Sequence, residues 1–164
     1  MRSLALALAL ALLTVTATVL GCKTAGQQPP APPPATADPG DIITLLNQRR
    51  ADAGCPGVEP DARLSTAAQR HAIDMRDRGI RDHTGSDGSS PQARIEAAGF
   101  RPASTGEIIF WGTGSAGPPE AVKGWMDSPP HRKIIEECGF THAGAAALRA
   151  EGQYFAVTTF GRPA

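Results

Sequence analysis

The sequence has few aromatic residues and no excess of either charge. Phe, Trp and Tyr make up 5% of the chain, and 16 Lys and Arg balance 16 Asp and Glu. Nucleic-acid binding draws on a basic excess or on an aromatic stacking surface, so both features argue against a nucleic-acid partner. The C-x-x-C, H-E-x-x-H and G-x-S-x-G motifs are also missing. The sequence thus lacks the short signatures of a redox, zinc-protease or serine-hydrolase site.

What the N-terminus does contain is an export signal. One basic residue, Arg2, precedes an apolar run from Leu4 to Leu20, which is interrupted by three threonines. This run falls short of the ~20 apolar residues of a membrane span and predicts a secretory signal. It ends in "VLGC", which resembles a bacterial lipobox and predicts cleavage before Cys22 and lipidation of its thiol. Ordinary signal cleavage nearby is the alternative.

A proline-rich segment follows the signal. Residues 23–40, "KTAGQQPPAPPPATADPG", contain six prolines and almost no large apolar side chains. Such a composition cannot bury enough surface to fold and predicts an extended tether. We therefore expect a domain at residues 41–164, held at a bacterial membrane surface through a lipidated Cys22, or secreted.

Two further cysteines, Cys55 and Cys138, lie within that domain. An exported protein can form disulfides, and lipidation of Cys22 would leave these two as an even count. Because 83 positions separate them, a bridge would close most of the domain and stabilise it by ~4 kcal/mol on the chain-entropy model. Two free buried thiols are the alternative.

Helical periodicity is clearest near the start of the domain. Asp41 is expected to cap a first helix that Gly54 stops. A second helix, ended by Gly79, has a stripe of apolar residues and one histidine, which is interpreted as a hydrogen-bonded core side chain rather than a ligand. The stripe consists of Leu64, Ala67, Ala68, His71, Ala72 and Met75.

The rest of the domain interleaves helices with strands, which predicts a mixed α/β fold. We expect a short helix that starts at Ser90 and Pro91, a strand over residues 104–112, a helix over residues 120–126, a turn capped by Ser128, and two C-terminal strands joined near residues 151–152.

Three polar residues near predicted turns are candidates for a site. His83 lies in "DHTGSDG", Glu107 in "TGEIIF" and His131 in "SPPHR". Two imidazoles and a carboxylate can bind a metal or act as an acid–base set. Spacing alone does not show that they meet in space.

Several segments together resemble the bacterial branch of the CAP superfamily, which includes cysteine-rich secretory proteins, antigen 5 and plant pathogenesis-related protein 1. They are "LNQRRADAG", "LSTAAQRHAIDM", "HTGSDGSSPQARIEAAGF", "GEI", "GWMDSPPHR" and "CGFTHAGAA", in order over about residues 41–163. The resemblance implies an α–β–α sandwich with a small central antiparallel sheet, and a cavity lined by His83, Glu107 and His131. Cys55 and Cys138 resemble a cysteine pair of some bacterial members.

The chain departs from the family pattern around this cavity. Ile108 and Ile134 stand where the family has Asn, Pro130 stands where it has Gly, and Ser128 stands where eukaryotic members have a second glutamate. Fewer ligand groups remain, so we expect the cavity to bind a divalent cation such as zinc weakly at best, with no cofactor required.

Three functions remain open from the sequence. The first is an exported, non-catalytic domain that binds a small or lipid-like ligand or an envelope partner through the cavity, including Ser128. The second is a metal-assisted hydrolase or peptidase with Glu107 as base. The third is a structural envelope protein with a vestigial cavity. For His131 itself, the alternative to a site role is a buried side chain that forms a hydrogen bond with Glu107.

Overall fold

The structure, a computed structural model, describes residues 39–164, so the predicted signal, Cys22 and most of the predicted tether lie outside it. None of the helices in the described part is both long and apolar enough to cross a lipid bilayer. The elements in chain order are α1 (Pro39–Asp52), β1 (Glu59–Pro60), α2 (Ala62–Arg78), α3 (Pro91–Ala97), β2 (Pro102–Thr113), α4 (Pro118–Asp127), α5 (Pro129–Ile135), β3 (His142–Ala150) and β4 (Gln153–Pro163).

The four strands form one mixed sheet in the order β1-β3-β4-β2. Strand β4 lies in the middle and pairs antiparallel with both β2 and β3. Strand β1 is parallel to β3, with Glu59 opposite His142 and Pro60 opposite Ala143. The expected central antiparallel sheet is formed by β2, β4 and β3, and β1 adds a parallel edge that was not predicted. A two-residue strand that contains a proline has no alternating pattern to predict it.

Helices cover both faces of the sheet, as the α–β–α sandwich requires. Because side chains alternate along a strand, Ile108 packs with the layer of α1, α4 and α5. Its neighbour Ile109 packs with α2 on the opposite face. The indole N–H of Trp125 in α4 donates to the carbonyl of Ile109 at 2.8 Å and ties this helix to β2. The predicted mixed α/β fold is confirmed.

Helix α1 begins three residues earlier than predicted, because a helix capped by Asp41 would start at Ile42. It starts at Pro39, so it includes Pro39 and Gly40, the last two positions of the predicted tether, and Asp41 lies in its first turn. Proline fits the first turn of a helix because no intrahelical partner exists there for a backbone N–H. An aspartate in that turn still interacts favourably with the helix dipole, without acting as the cap.

Helix α2 has the predicted buried face. All six positions of the stripe are buried, and Gly79 ends the helix in the left-handed conformation at φ 68°. Asp61 caps the N-terminus by accepting hydrogen bonds from the backbone N–H groups of Arg63 and Leu64. The periodicity alone was sufficient to predict which face packs on the sheet.

The C-terminal strands form the predicted hairpin. Glu151 and Gly152 connect β3 and β4, with φ values of 51° and 73°. Two successive positive φ values in a two-residue loop match a hairpin turn whose twist suits the flanking strands.

The end of α1 is joined to the segment between α5 and β3. The predicted Cys55–Cys138 disulfide is present, with the two Cα atoms 4.9 Å apart. Beside it, the buried guanidinium of Arg50 donates hydrogen bonds to four backbone carbonyls at 2.8–2.9 Å. These carbonyls belong to Pro56, Ile135, Glu137 and Phe140. We call this region the Arg50 corner.

Candidate functional site

His83 lies in a loop, residues 80–90, that connects α2 to α3. The carboxylate of Asp74 on α2 accepts hydrogen bonds from the backbone N–H and the hydroxyl of Ser86, at 2.7 and 2.6 Å. Asp82 accepts from the backbone N–H of Thr84 at 3.0 Å and forms a turn around His83. The loop is therefore held against α2 after the histidine by Asp74, and the Nε2–H of His71 on α2 holds it before the histidine, at the carbonyl of Asp82.

Glu107 lies on β2 opposite Thr159 of β4. It is two positions before Ile109, so its side chain is on the α2 face of the sheet. The position places a carboxylate directly under the loop that carries His83. The Glu107 side chain is 1% exposed.

The structure brings His83 and Glu107 together. The Nδ1–H of His83 donates to Oε1 of Glu107 at 2.9 Å, and the His83 side chain remains 44% exposed. This hydrogen bond fixes the orientation of the ring through Nδ1. The other ring nitrogen, Nε2, is not used in it. Two of the three predicted site residues therefore form one pair, with the carboxylate inside and the imidazole at the surface.

Arg94 is a member of this cluster that the sequence analysis missed. Its Nη2 donates to both carboxylate oxygens of Glu107, at 3.0 and 2.9 Å. The same nitrogen donates to the carbonyl of His83 at 2.9 Å, and Nη1 donates to the carbonyl of Ser89 at 2.8 Å. One guanidinium thus holds both the carboxylate and the loop.

A sequence signal for Arg94 existed. On a helix, Pro91, Arg94, Ile95 and Ala98 are spaced i, i+3, i+4 and i+7, so the arginine lies in an apolar stripe. Arg94 is 2% exposed and Ile95 is fully buried. An arginine within a buried stripe needs an anionic or carbonyl partner, as His71 in the stripe of α2 needs an acceptor.

His71 is a hydrogen-bonded core histidine, as its position in the α2 stripe predicts. It is fully buried, and its Nε2–H donates to the carbonyl of Asp82 at 2.9 Å. The same nitrogen lies 3.9 Å from Oε1 of Glu107. Burial lowers the pKa of His71 and favours its neutral form. This ring supports the backbone of the loop just before His83.

His131 lies in the first turn of α5 and does not share the carboxylate. The hydrogen bonds of Glu107 come from His83 and Arg94, so the interpretation that His131 forms a hydrogen bond with Glu107 is wrong. Its Nδ1 is buried and has no hydrogen-bond partner among residues 39–164. Burial lowers the pKa of His131, and the nearby charge of His83 lowers it further. His131 is thus close enough to His83 for an electrostatic effect.

Ser128 separates α4 from α5 and has the N-cap position of α5, as predicted. Its side chain forms no capping hydrogen bond, however, so the prediction that it caps the turn is wrong in this respect. The backbone φ and ψ of Ser128, −100° and 112°, are those of an extended residue. The two prolines that follow start α5 without this cap, because proline φ already suits a helix.

The cluster has one exposed titratable ring, that of His83. The hydrogen bond to Glu107 raises the pKa of His83, an effect that burial partly opposes. Arg94 balances the charge of Glu107, so protonation of His83 makes the cluster net positive. The exposed ring can accept a hydrogen bond when neutral and donate one when charged.

Comparison with known proteins now gives the family. The sequence profile described as "CAP: Cysteine-rich secretory protein family" matches residues 43–160, well over half of the chain. The chain belongs to the CAP family. The uncharacterized protein YkwD of Bacillus subtilis is 33% identical over 120 residues, which is 73% of this chain and 46% of YkwD. The chain therefore spans less than half the length of this CAP relative.

Solved structures agree on the CAP fold. An extracellular protein containing an SCP domain from Bacillus anthracis has a TM-score of 0.66 at 24% identity, over 75% of this chain and 39% of that one. An outer surface protein of Borrelia burgdorferi has a TM-score of 0.69 at 21% identity, over 80% of this chain and 100% of that one. The structure of NaASP2 with Zn2+ has a TM-score of 0.60 at 13% identity, over 80% of this chain and 83% of that one.

A metal does not fit the cluster of this CAP chain. Among the described residues, no group of three or more His, Cys, Asp and Glu side chains is arranged to hold a metal ion. His83 and Glu107 are directed at each other rather than at a common point, and His71 donates to a carbonyl. The expected set of His83, Glu107 and His131 does not form a metal centre in this arrangement.

Some of the larger grooves of the CAP domain do not include His83 in their lining. Four grooves on the described residues have volumes of about 280–550 Å³, and none of these four is lined by His83, Glu107 or His131. The largest, about 550 Å³, lies between α1, α2 and β3. The smallest, about 280 Å³, is lined by His71 and Arg94, on the other side of the cluster.

Proposed function

We propose that this CAP protein is an exported, membrane-tethered binding domain that recognises a small or lipid-like ligand, or an envelope partner, without catalysing a reaction. The supporting observation is the orientation of Glu107. Both of its carboxylate oxygens face Arg94, and its side chain is 1% exposed. The cluster presents the imidazole of His83 to solvent and keeps the carboxylate inside.

This arrangement suits binding better than hydrolysis. A general base needs an oxygen or nitrogen within hydrogen-bond reach of the proton that it takes. Glu107 accepts three hydrogen bonds from Arg94 and His83 and is sealed from water. His83 has the free ring nitrogen, and its raised pKa makes it a better cation or hydrogen-bond donor near neutral pH.

Export and tethering rest on the chain's own N-terminus together with its relatives. The apolar run that ends in "VLGC" and the proline-rich segment favour a lipid anchor at Cys22. The SCP-domain protein of Bacillus anthracis is extracellular, and the Borrelia burgdorferi relative is an outer surface protein. Detergent partitioning of the wild type and Cys22→Ser tests the anchor. Partition of both into the aqueous phase would contradict it.

The binding role is tested by ligand capture. The purified protein is incubated with envelope lipid extract and with soluble envelope extract, and retained molecules are detected by native mass spectrometry. We expect a retained species that is lost in His83→Ala. The matched control is His142→Ala, since His142 also lies near a surface carboxylate, 3.8 Å from Oε2 of Glu59, but outside the cluster.

The alternatives give different results in the same experiment. Retention by the wild type and by both variants would place binding elsewhere, for example in the largest groove. No retention by the wild type would contradict the binding role and favour a structural envelope protein. Turnover of ester or peptide substrates that needs added zinc and is lost in Glu107→Gln would favour the hydrolase.

A further inference from the structure

A divalent metal on Glu107 would have to displace Arg94. Zinc binds a carboxylate oxygen at ~2.0–2.2 Å. Nη2 of Arg94 already lies 3.0 and 2.9 Å from the two oxygens, and both side chains are 1% exposed. A metal ion beside this guanidinium would bring two like charges together in a buried place, where little solvent screens their repulsion.

Arg94 cannot easily move aside. Its other hydrogen bonds go to the carbonyls of His83 and Ser89, at 2.9 and 2.8 Å. One of these carbonyls belongs to His83 itself, and the other lies near the C-terminal end of its loop. A shift of the guanidinium would therefore leave buried carbonyls without a donor and release the loop, which costs free energy that metal binding would have to offset.

We propose that Arg94 is the resident cation of the cluster and excludes divalent metals from the His83–Glu107 pair. The guanidinium neutralises the carboxylate in the way that a bound metal would. It also fixes the orientation of Glu107, so that His83 works as a metal-independent binding group. Arg94 is a positioning and specificity-determining residue in this account. The inference goes beyond the proposed binding role, and either can fail without the other.

The test is a zinc titration by isothermal calorimetry at pH 8.0, well above the ordinary histidine pKa of about 6.5, because neutral imidazole binds zinc and the pKa of His83 is raised. All proteins carry Cys22→Ser, so that no thiol outside the disulfide competes for zinc. The wild type is compared with Arg94→Gln, with Arg94→Gln/His83→Ala, and with Arg70→Gln. The last is the matched control: Arg70 is half-exposed and pairs with Asp87 of the same loop, without contact to Glu107.

We expect Arg94→Gln to bind zinc at least about tenfold more tightly than the wild type, the lower end of the effect of groups that support metal ligands. Additional removal of His83 should abolish this gain, and Arg70→Gln should behave like the wild type. Saturable zinc binding by the wild type that is lost in His83→Ala would overturn the proposal. A folded Arg94→Gln that gains no zinc binding would also overturn it.

Arg94→Gln leaves a buried charge unpaired and can fail to fold, so two measurements do not depend on it. Arg94→Lys keeps the positive charge and should gain no zinc binding. In addition, 1 mM zinc should change the melting temperature of the wild type and of His83→Ala by the same amount, since a metal bound at the pair would stabilise only the wild type. A His83-dependent rise, or a gain in Arg94→Lys equal to that expected of Arg94→Gln, would contradict the proposal.

Discussion

Two buried arginines organise two regions of this domain in different ways. Arg50 is fully buried and Arg94 is 2% exposed. The four hydrogen bonds of Arg50 all go to backbone carbonyls, at 2.8–2.9 Å. Arg94 also bonds to carbonyls, but its guanidinium faces the carboxylate of Glu107 and, beyond it, the exposed ring of His83.

The difference separates a structural region from a candidate site. The partners of Arg50 are carbonyls, which do not titrate, so the Arg50 corner fixes the path of the chain. A carboxylate partner adds a charge whose effect reaches His83 at the surface. In this domain, the buried arginine that indicates a candidate site is the one whose carboxylate partner also forms a hydrogen bond with an exposed titratable side chain.

The largest expected effect is at the Arg50 corner. Arg50→Ala should lower the free energy of unfolding by ~3–5 kcal/mol, because it leaves several buried carbonyls without donors. Urea denaturation measures this. Arg49→Ala is the control, since Arg49 is exposed and forms only a 3.4 Å contact with Asp52; it should change stability by less than ~0.5 kcal/mol. Equal effects of the two variants would show that Arg50 does not hold the corner.

Removal of the disulfide at the same corner should have a smaller effect. Cys55→Ser/Cys138→Ser should lose ~2–4 kcal/mol, mainly through the unfolded state on the chain-entropy model. Because Arg50 still holds the carbonyls of residues 135–140, the variant should fold at room temperature and keep any ligand binding that depends on His83. Loss of ligand binding in a folded disulfide variant would show that the Arg50 corner and the cluster of His83, Glu107 and Arg94 are not independent.

The smallest effect is the pH dependence of the His83–Glu107 pair. The pKa of His83 is raised in the folded state, so its stabilisation is fully present below the ordinary value of about 6.5 and is lost as pH rises through the higher folded value. His83→Gln should therefore lower the free energy of unfolding by ~1 kcal/mol or less at pH 5.5, because the ring is partly exposed, and by a smaller amount at pH 8.5. Denaturation at both values measures this, and a cost that grows with pH would contradict the predicted direction.

Much of the fold followed from local pattern. The buried face of α2, the turn at residues 151–152 and the start of α5 at Pro129 depend on side-chain periodicity, positive φ and proline geometry. All three are properties of neighbouring residues. Strand β1 was not predicted, because two residues are too few to show the alternation of polar and apolar side chains along a strand. It forms by pairing with β3.

The site was less predictable because its members pair across the fold. His83 and Glu107 are 24 positions apart, and Arg94 lies between them at 13 positions from Glu107. The family resemblance grouped the two histidines with Glu107 but did not show which side chains would share its oxygens. Which side chains contact Glu107 depends on the positions of their helices. Arg94 on α3 contacts Glu107 on β2 directly, whereas His131 is on α5, in the other helical layer.

The central claim is that Arg94 and Glu107 act as one charge pair in a site, whereas Arg50 acts alone on the backbone. A double-mutant cycle with Arg94→Gln and Glu107→Gln, measured by urea denaturation at pH 7.5, tests this most directly. We expect a coupling free energy of ~2–3 kcal/mol, because each single variant leaves a buried charge unpaired and the double variant does not. In the parallel cycle for Arg50 and Glu137, the hydrogen bond uses the Glu137 carbonyl and the side-chain carboxylate acts on Arg50 only through its charge, so the coupling should be smaller, ~1 kcal/mol or less. Similar coupling in the two cycles would contradict the account.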